Sequence, residues 1–235
     1  MKRPPYLDRV FEHEDFVIFA KPEGFGVHCE ADQPGIHSLA EAQLGQNLWL
    51  VHRLDKVTSG LLIMAKNEVS ARVFGQLFAD KKIQKTYLAI SSHRPKRKQG
   101  RIKGDMVSAR GGSYKLTKSM SNPAITDFFS ISVVPGLRVF VCRPLTGKTH
   151  QIRVALKSEG APIEGDHRYG AVSDRTYLHA WRLAFVYNDQ PFEIEQRPTT
   201  GNLYLTPEFG AVLKRLDDNE RWPSHWSHRL ESCNE

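Results

Sequence analysis

Apolar and polar residues follow one another along this chain in two different periods. Residues 16–20 form a continuous apolar run that stops near Pro22, which predicts a strand because proline cannot extend a hydrogen-bonded ladder. Residues 67–83 instead repeat apolar positions every third or fourth residue, which predicts an amphipathic helix facing a core. Its apolar stripe comprises Val69, Val73, Phe74, Leu77 and Phe78.

Further strands and helices alternate through the rest of the chain. Strand patterns cover residues 85–91, 175–187 and 191–196, and a hairpin pattern covers 124–145 around Pro135-Gly136. Helix patterns cover three stretches, each with a start or stop signal: 37–45 with a capping box from Ser38 to Glu41 and a stop at Gly45, 149–160 ending at Gly160, and 206–216 with a cap at Thr206. Strands outnumber helices and short turns join them, which predicts an α+β fold with a mixed, mainly antiparallel sheet and packed helices.

Basic residues are concentrated in one part of the 235-residue chain. The net charge is +7, yet residues 81–118 hold twelve Lys or Arg against a single acid, Asp105, so the remainder is net acidic. Such local basicity favours a polyanionic partner such as nucleic acid. Proline and glycine break any period over 92–122, and we expect an irregular, basic, loop-like insert with short strands there. We expect one catalytic domain over 1–219 and a polar tail over 220–235 that packs loosely or is disordered.

Cysteine usage and hydropathy indicate the compartment. The three cysteines, Cys29, Cys142 and Cys233, are far apart and form no CxxC pair, which is typical of a reducing environment. No apolar run follows the basic N-terminus, and none approaches the roughly 18 residues of a membrane span. The sequence predicts a cytoplasmic protein with no membrane contact.

Metal and nucleotide motifs are incomplete. His225, His228 and Cys233 have ligand-like spacing but lack the second pair of a structural zinc site, so we expect no metal. The stretch "PLTGKTH" has part of a phosphate-loop pattern without its full spacing. No sequence feature marks a serine as a nucleophile. Cys142 lies in a strand of alternating apolar residues, where a cysteine is more often a small core residue than a reactive thiolate.

The most informative stretch is "WLVHRLDKVTSGLLIMAKN" over 49–67. Two apolar runs flank a charged turn, and turn residues often do nothing beyond turning. Here, however, Asp55 and its neighbour Arg53 lie at the end of a run apolar enough to be buried, which is how many catalytic carboxylates are placed. His52 is either an acid–base group or, more commonly for a strand end, a partner of the backbone.

"HRLDKVTSG" resembles the catalytic signature of the RluA family of pseudouridine synthases, and other stretches in the same order resemble further parts of that family. These are "KPEGFGVH" at 21–28, "KTYLA" at 85–89, "TGKTHQIRVAL" at 146–156, "GAPIEGDHRYG" at 160–170 and "LHAWRLAF" at 178–185. The likeness covers roughly residues 12–210, which is more specific than any single motif. It implies the pseudouridine synthase fold and isomerisation of a specific uridine in structured RNA, either rRNA or tRNA.

The resemblance also implies roles for particular residues. Asp55 would be the catalytic carboxylate, as nucleophile or as base, and Arg153 would pair with it and keep it charged. Tyr87 would stack on the uracil and assist removal of the C5 proton. Arg53 would fill the place that the flipped base vacates, although a surface ion pair with Asp55 is the simpler role. The reaction oxidises nothing, so we expect no cofactor.

Further residues are expected to bind RNA. They are the basic run Lys96, Arg97 and Lys98, and Lys148 and His150 beside the helix that contains Arg153. The sequence departs from the family at Lys148, where arginine is usual, and at Ala155, where histidine is common. Since no small RNA-binding module precedes Lys21, the chain resembles the branch that consists of the catalytic domain only, and we expect a monomer.

Two other functions are compatible with the same residues. A non-catalytic RNA-binding module would need only the basic segment, and Asp55 would then be dispensable. A uracil-directed glycosidase built around Asp55 would release free base. Product analysis separates both from a pseudouridine synthase.

Overall fold

The computed structural model of the chain describes residues 6–30, 33–218, 222, 223 and 226. The described residues contain four α-helices: α1 (Ile36–Leu44), α2 (Glu68–Ala79), α3 (Gln151–Ser158) and α4 (Pro207–Asp217). They also contain twelve strands: β1 (Asp8–Glu12), β2 (Phe16–Lys21), β3 (Trp49–Leu50), β4 (Ser59–Ala65), β5 (Gln84–Ser91), β6 (Gln99–Gly104), β7 (Met106–Ser108), β8 (Tyr114–Leu116), β9 (Ala124–Val134), β10 (Leu137–Pro144), β11 (Leu178–Tyr187) and β12 (Gln190–Glu195). The predicted α+β class with mainly antiparallel pairing is confirmed.

The chain divides into two compact units. Unit 1 comprises Met1–Gln84 and Ala180–Arg197, and unit 2 comprises Lys85–His179 and Pro198–Glu235. The single catalytic domain predicted over 1–219 stays a prediction, and each unit is described by itself below.

Unit 1 is built on antiparallel strands with a helix against them. β2 pairs with β1 on one side and β4 on the other, β3 pairs with the end of β4, and β12 pairs with β11. All seven residues of β4 are buried, and so are five of the six in β2, as their continuous apolar sequences predict. Their side chains join those of α2, β11 and β12 in one apolar core that includes Phe16, Ile63, Phe74, Phe185 and Ile194.

Helix α2 confirms the predicted amphipathic helix with one exception. It begins after Asn67, whose side chain accepts a hydrogen bond from the Ser70 amide at 2.8 Å, and Phe74 packs edge-on to Phe16 with ring centroids 5.1 Å apart. Val73, Leu77 and Phe78 pack against the same core. Val69, however, is 69% exposed, whereas its neighbour Ser70 is fully buried, so Val69 lies on the solvent side of the first turn.

Helix α1 begins earlier than predicted, and the predicted capping box is wrong. The residue preceding the helix is Gly35, and Ser38 lies inside the first turn, where its hydroxyl donates to the Gly35 carbonyl at 3.0 Å. A side chain cannot occupy position 35, since a Cβ there would lie 2.4 Å from the His28 backbone. The predicted stop at Gly45 is confirmed, with a left-handed φ of 66°.

Four strands of unit 2 lie side by side in the order β5, β10, β9 and β6. β9 and β10 form the predicted hairpin, and the turn uses Gly136 at a φ of 81°. The basic segment 92–122 contains three short strands: β6 pairs along β9, and β7 pairs with β8 in a separate two-stranded ribbon. Helices α3 and α4 both lie against β9.

The predicted polar tail falls mostly outside the described residues, including His225, His228 and Cys233. Two of its tryptophans are described, and they pack on unit 2. Trp226 is buried and lies edge-on to Phe129 with ring centroids 5.2 Å apart, and the Arg143 guanidinium lies 4.6 Å from the Trp226 ring centroid. At these positions the tail is part of the folded unit.

Of the helices in the described ranges, none has both the length and the apolar character needed to cross a membrane.

Candidate active-site residues

Asp55 lies on a tight turn between two paired strands of unit 1. β3 ends at Leu50 and β4 begins at Ser59, and the Thr58 amide donates to the Asp55 carbonyl at 2.9 Å. Leu54 is buried beside Asp55, which is itself half-buried. The turn therefore anchors the backbone of Asp55, and the residue as a whole is only partly buried.

Lys21 stabilises the Asp55 turn by hydrogen bonds to the backbone. Its ammonium is 1% exposed and donates to three backbone carbonyls, those of Pro22 at 2.9 Å, Phe25 at 2.8 Å and Lys56 at 3.3 Å. The Gly24 amide adds a second link by donating to the Lys56 carbonyl at 2.9 Å. The segments 22–25 and 55–58 are thus tied together through one buried charge.

Gly60 and its neighbours shape the start of β4. Thr58 and Ser59 are both buried, and Gly60 has a φ of 108° that disfavours other residues. A Cβ on Gly60 would lie 2.3 Å from the carbonyl oxygen of Ala180 on β11. Only glycine allows these two backbones to approach so closely.

His52 and Arg53 have different environments. The Ile63 amide donates to His52 Nε2 at 2.9 Å, and the imidazole stacks on Phe78 with ring centroids 4.7 Å apart, so His52 supports the backbone as the simpler reading predicted. Arg53 is exposed and makes no hydrogen bond or ion pair with any described residue. The surface ion pair considered between Arg53 and Asp55 is therefore not formed.

Tyr87 lies on β5 in unit 2, opposite Cys142 of β10. Its side chain is 9% exposed, so the ring lies at the edge of the core. Cys142 is fully buried, and burial raises the pKa of its thiol, which rules it out as a thiolate nucleophile at neutral pH.

Arg153 forms a buried, two-pronged ion pair with Asp166 in unit 2. Arg153 Nε and one terminal nitrogen donate to the two Asp166 carboxylate oxygens at 2.7 and 2.8 Å, and both side chains are at most 5% exposed. The Arg168 amide donates to the same carboxylate at 3.1 Å. Asp166 therefore fixes the plane of the Arg153 guanidinium.

Tyr169 joins α3 to the β7–β8 ribbon. Its hydroxyl accepts from the Tyr114 amide at 2.9 Å and lies 2.9 Å from His150 Nδ1. Its ring lies 5.0 Å from the Arg153 guanidinium carbon, and burial raises the pKa of the phenol. His150, predicted to bind RNA, precedes α3 in the left-handed conformation with a φ of 57°.

Lys148 lies on the loop that leads into α3. The Gln151 side chain accepts from the Lys148 amide at 3.0 Å and from the Thr146 hydroxyl at 2.7 Å, which fixes the loop. The Lys148 ammonium donates to Asn122 at 2.8 Å. The predicted RNA contacts Lys148 and His150 thus flank the first turn of the helix that carries Arg153.

The predicted RNA-binding run 96–98 lies at the other end of α3. All three residues are exposed. Lys96 donates to the Ser158 carbonyl at 2.8 Å, and Arg97 pairs with the buried Glu159. Two of the three cations therefore also complete the C-terminal end of the helix, where positive charge is favourable.

One cluster of metal-ligand side chains occurs in the described ranges. His13, Glu14 and Asp15 lie within 4.8 Å of one another at the β1–β2 turn. Asp15 already accepts from the Asn67 side chain at 2.9 Å, and its carbonyl accepts from Ser70 at 2.8 Å. Asp15 thus stabilises the first turn of α2. Glu14 is exposed, as acidic residues commonly are without a metal, and we assign no metal to the cluster.

Sequence reasoning missed three residues that organise these positions: Lys21, Asp166 and Tyr169. Each lies in a stretch that resembles the family, "KPEGFGVH" or "GAPIEGDHRYG". The motifs could therefore be recognised in the sequence, but the structural roles of these three residues could not be predicted from them. A partner 13 residues away on a loop, as Asp166 is from Arg153, has no periodic signal.

Comparison with known proteins gives consistent results. Residues 15–158 match the sequence model of the family described as RNA pseudouridylate synthase. The chain is 50% identical over 205 residues to an uncharacterized RNA pseudouridine synthase of Haemophilus influenzae, and the match covers 86% of this chain and 92% of that protein. It is 35% identical over 188 residues to the ribosomal large subunit pseudouridine synthase C of Rickettsia bellii, covering 73% of this chain and 61% of that protein.

Solved structures show a similar fold. The human RNA pseudouridylate synthase domain containing 1 has a TM-score of 0.72 at 20% identity, covering 92% of this chain and 98% of that chain. The human RNA pseudouridylate synthase domain containing 4 has a TM-score of 0.68 at 23% identity, covering 89% and 93%. The predicted fold is confirmed by this likeness.

Proposed function

We propose a mechanism for this chain from the premise that it belongs to the RNA pseudouridylate synthase family and isomerises uridine in RNA. In that reaction the bond between uracil N1 and ribose C1′ breaks, the base turns, and a bond forms between C5 and C1′. An ionised carboxylate is required, either to attack the nucleoside or to remove a sugar proton. We assign that role to Asp55.

The observation that supports this assignment is the construction of the Asp55 turn. Its backbone is tied to Lys21 and to β4, while Asp55 itself stays partly accessible. A fixed backbone at a partly accessible residue is what positioning of a reacting group requires. The aspartate-dependent mechanism is our proposal for this chain.

We propose supporting roles for three further residues. Arg153 keeps Asp55 ionised, Tyr87 stacks on the uracil and its phenol helps to remove the C5 proton, and Arg53 takes the place of the flipped base. The exposed guanidinium of Arg53, without a protein partner among the described residues, is available to stack on bases. Lys148 and His150 are proposed to contact the RNA beside α3.

The target is proposed to be rRNA in preference to tRNA, because relatives such as that of Rickettsia bellii are named for the large ribosomal subunit. Since the chain spans about three fifths of the length of that relative, the target requires its own test. Mapping pseudouridines in rRNA and tRNA from cells with and without the gene identifies it.

We also propose a cytoplasmic location, which the free thiols of Cys29 and Cys142 support. The monomeric state and the lack of a metal or cofactor requirement stay predictions.

The deciding experiment is Asp55→Asn, which preserves the shape of the side chain but cannot ionise. Tritium release from RNA labelled at uridine C5 should fall by at least about 10³-fold, because the reacting group is lost. Circular dichroism and RNA affinity should be unchanged. Asp8→Asn, at an exposed position of unit 1, is the matched control and should keep full activity.

A folded Asp55→Asn protein with substantial activity would refute the assignment. Free uracil among the products of the wild-type protein would identify a glycosidase instead, and RNA binding without any tritium release would identify a binding module.

A further inference from the structure

A basic cavity lies in unit 2, beside the turn of the β9–β10 hairpin. Its volume is about 460 Å³, and its lining includes four permanent cations: Arg94, Lys96, Lys98 and Arg138. No Asp or Glu is among the lining residues. The cavity contains neither Tyr87 nor Arg153, the two proposed catalytic residues of this unit.

The three cations of the run 96–98 have different environments. Arg97 pairs with Glu159, whose side chain is 7% exposed, and Arg97 does not line the cavity. Lys96 and Lys98 do line it. Lys98 makes no side-chain hydrogen bond or ion pair within the described part of the chain. The charge of Lys98 is thus uncompensated by protein, whereas that of Arg97 is compensated.

Arg94 and Arg138 bring two positive charges together. Ser130 holds Arg138, with its hydroxyl accepting at 3.2 Å and its carbonyl at 3.1 Å, so the guanidinium is fixed on β10. Partial burial and then the nearby Arg94 charge both lower the pKa of Arg138. Like charges held close together without an acid are destabilising, and an anion between them would relieve the repulsion.

Two acids are linked to this segment without lining the cavity. Glu159 pairs with Arg97, and Glu164 keeps its negative charge while it accepts from the Ser92 hydroxyl at 2.7 Å. The four lining cations outnumber that single charge, so the cavity is net positive.

We infer that this cavity binds backbone phosphates of the RNA substrate, at a position separate from the proposed catalytic residues. The inference deepens the proposed function and rests on it. Phosphate is the chemistry that clustered Arg and Lys recognise. Apart from His93, no aromatic ring lines the cavity, and its four cations favour contacts with phosphate over stacking on a base.

The test compares two double variants with equal loss of charge. Arg94→Ala with Lys98→Ala removes two cavity cations, and Lys82→Ala with Lys214→Ala removes two exposed lysines elsewhere. With substrate RNA, the cavity variant should bind about tenfold or more weakly, and the slope of log affinity against log salt should fall by about 1 to 2, because each phosphate contact contributes roughly 0.9. KM should rise while kcat at saturating RNA is kept.

Arg97→Ala is a second control, since it removes a charge from the same run without removing a cavity cation. It should lower the melting temperature and leave the salt slope close to that of the wild type. An Arg97→Ala protein with the larger loss of slope would overturn the inference.

Equal salt slopes for the cavity variant and the lysine control would also overturn it while leaving the proposed function intact. Failure of the proposed function is recognised separately, because the wild-type protein would then form no pseudouridine. Inorganic phosphate and ADP serve as further probes. Cavity-dependent thermal stabilisation by either at micromolar concentration, with unchanged RNA binding, would assign the cavity to a small anion instead.

Discussion

The Asp55 turn of unit 1 and the first turn of α3 in unit 2 position their charged residues in different ways. Around Asp55 the backbone is gathered on one buried ammonium, Lys21, which contacts three carbonyls. Around Arg153 the side chains do the positioning, through the carboxylate of Asp166 and the ring of Tyr169. The first arrangement fixes a loop at a residue that is only partly buried, whereas the second fixes a guanidinium that is itself buried.

The difference has an energetic consequence. Removing one member of a buried ion pair leaves an uncompensated charge, so unit 2 should be sensitive to a single change at its pair. In unit 1 the carbonyls that Lys21 contacts belong to segments near the surface, and water can replace part of what is lost. The two regions should therefore respond to comparable changes with different magnitudes.

The largest expected effect is that of Asp166→Asn. The amide keeps the shape but removes the negative charge to which the Arg153 guanidinium donates two buried hydrogen bonds, so the free energy of unfolding should fall by about 3–5 kcal/mol. Urea denaturation measures it. Asp127→Asn is the matched control, because Asp127 pairs with Arg101, which is 55% exposed, and its loss should cost less than about 1 kcal/mol. Equal losses for both variants would contradict the contrast.

A smaller effect is expected for Lys21→Met, which keeps the length of the side chain and removes the ammonium. The free energy of unfolding should fall by about 2–3 kcal/mol, the contribution typical of hydrogen bonds to a charged group. Hydrogen exchange should accelerate at the Gly24 and Thr58 amides, whose acceptors lie in the turn, more than at the Ile63 amide. Lys56→Met removes an exposed lysine whose ion pair with Glu30 is itself exposed, so it should cost less than about 1 kcal/mol and leave exchange at these amides close to that of the wild type. An unchanged exchange rate of the Thr58 amide in Lys21→Met would contradict the role of the Lys21 ammonium in stabilising the turn.

The smallest effect belongs to Tyr169→Phe, which deletes one hydroxyl from the network of unit 2. We expect a loss of about 1 kcal/mol at neutral pH. Burial raises the pKa of this phenol above its usual value near 10, so the unfolded chain ionises first and the wild-type protein loses stability as the pH rises past 10. The variant lacks that loss, and the gap between the two proteins should narrow from pH 9 upwards in urea titrations. Tyr114→Phe removes a hydroxyl that makes no hydrogen bond to the described residues, and at neutral pH it should cost less stability than Tyr169→Phe.

Periodic elements of this fold were predictable because burial acts on every residue of a strand or helix. The runs that became β2, β4 and α2 carry that signal, and the turn at Gly136 and the cap at Thr206 have local signatures. The start of α1 was misplaced for a different reason. Gly35 is needed because another backbone segment passes close by, and that closeness depends on the folded structure and not on local sequence.

The sequence draws attention to Asp55 and Arg53, whose roles stay predictions, and much less to the residues that support the Asp55 turn. The position of Asp55 after an apolar run carries information, and the family resemblance adds to it. Lys21 appeared only as the end of a strand, since nothing local indicates that an ammonium will turn inward to meet three carbonyls. The run 96–98 looked uniform in sequence, yet Glu159 from α3 selects Arg97 alone as its partner.

The free edge of strand β6 bears on whether copies of this chain aggregate. In the described residues it pairs only with β9, so its other side is an edge that could template pairing with another strand. Arg101 and Lys103 are exposed along that edge, and Arg101 is held in place by Asp127 directly opposite. Charges on an edge strand oppose strand-to-strand aggregation. The basic residues of β6 therefore also disfavour aggregation by pairing of edge strands between molecules.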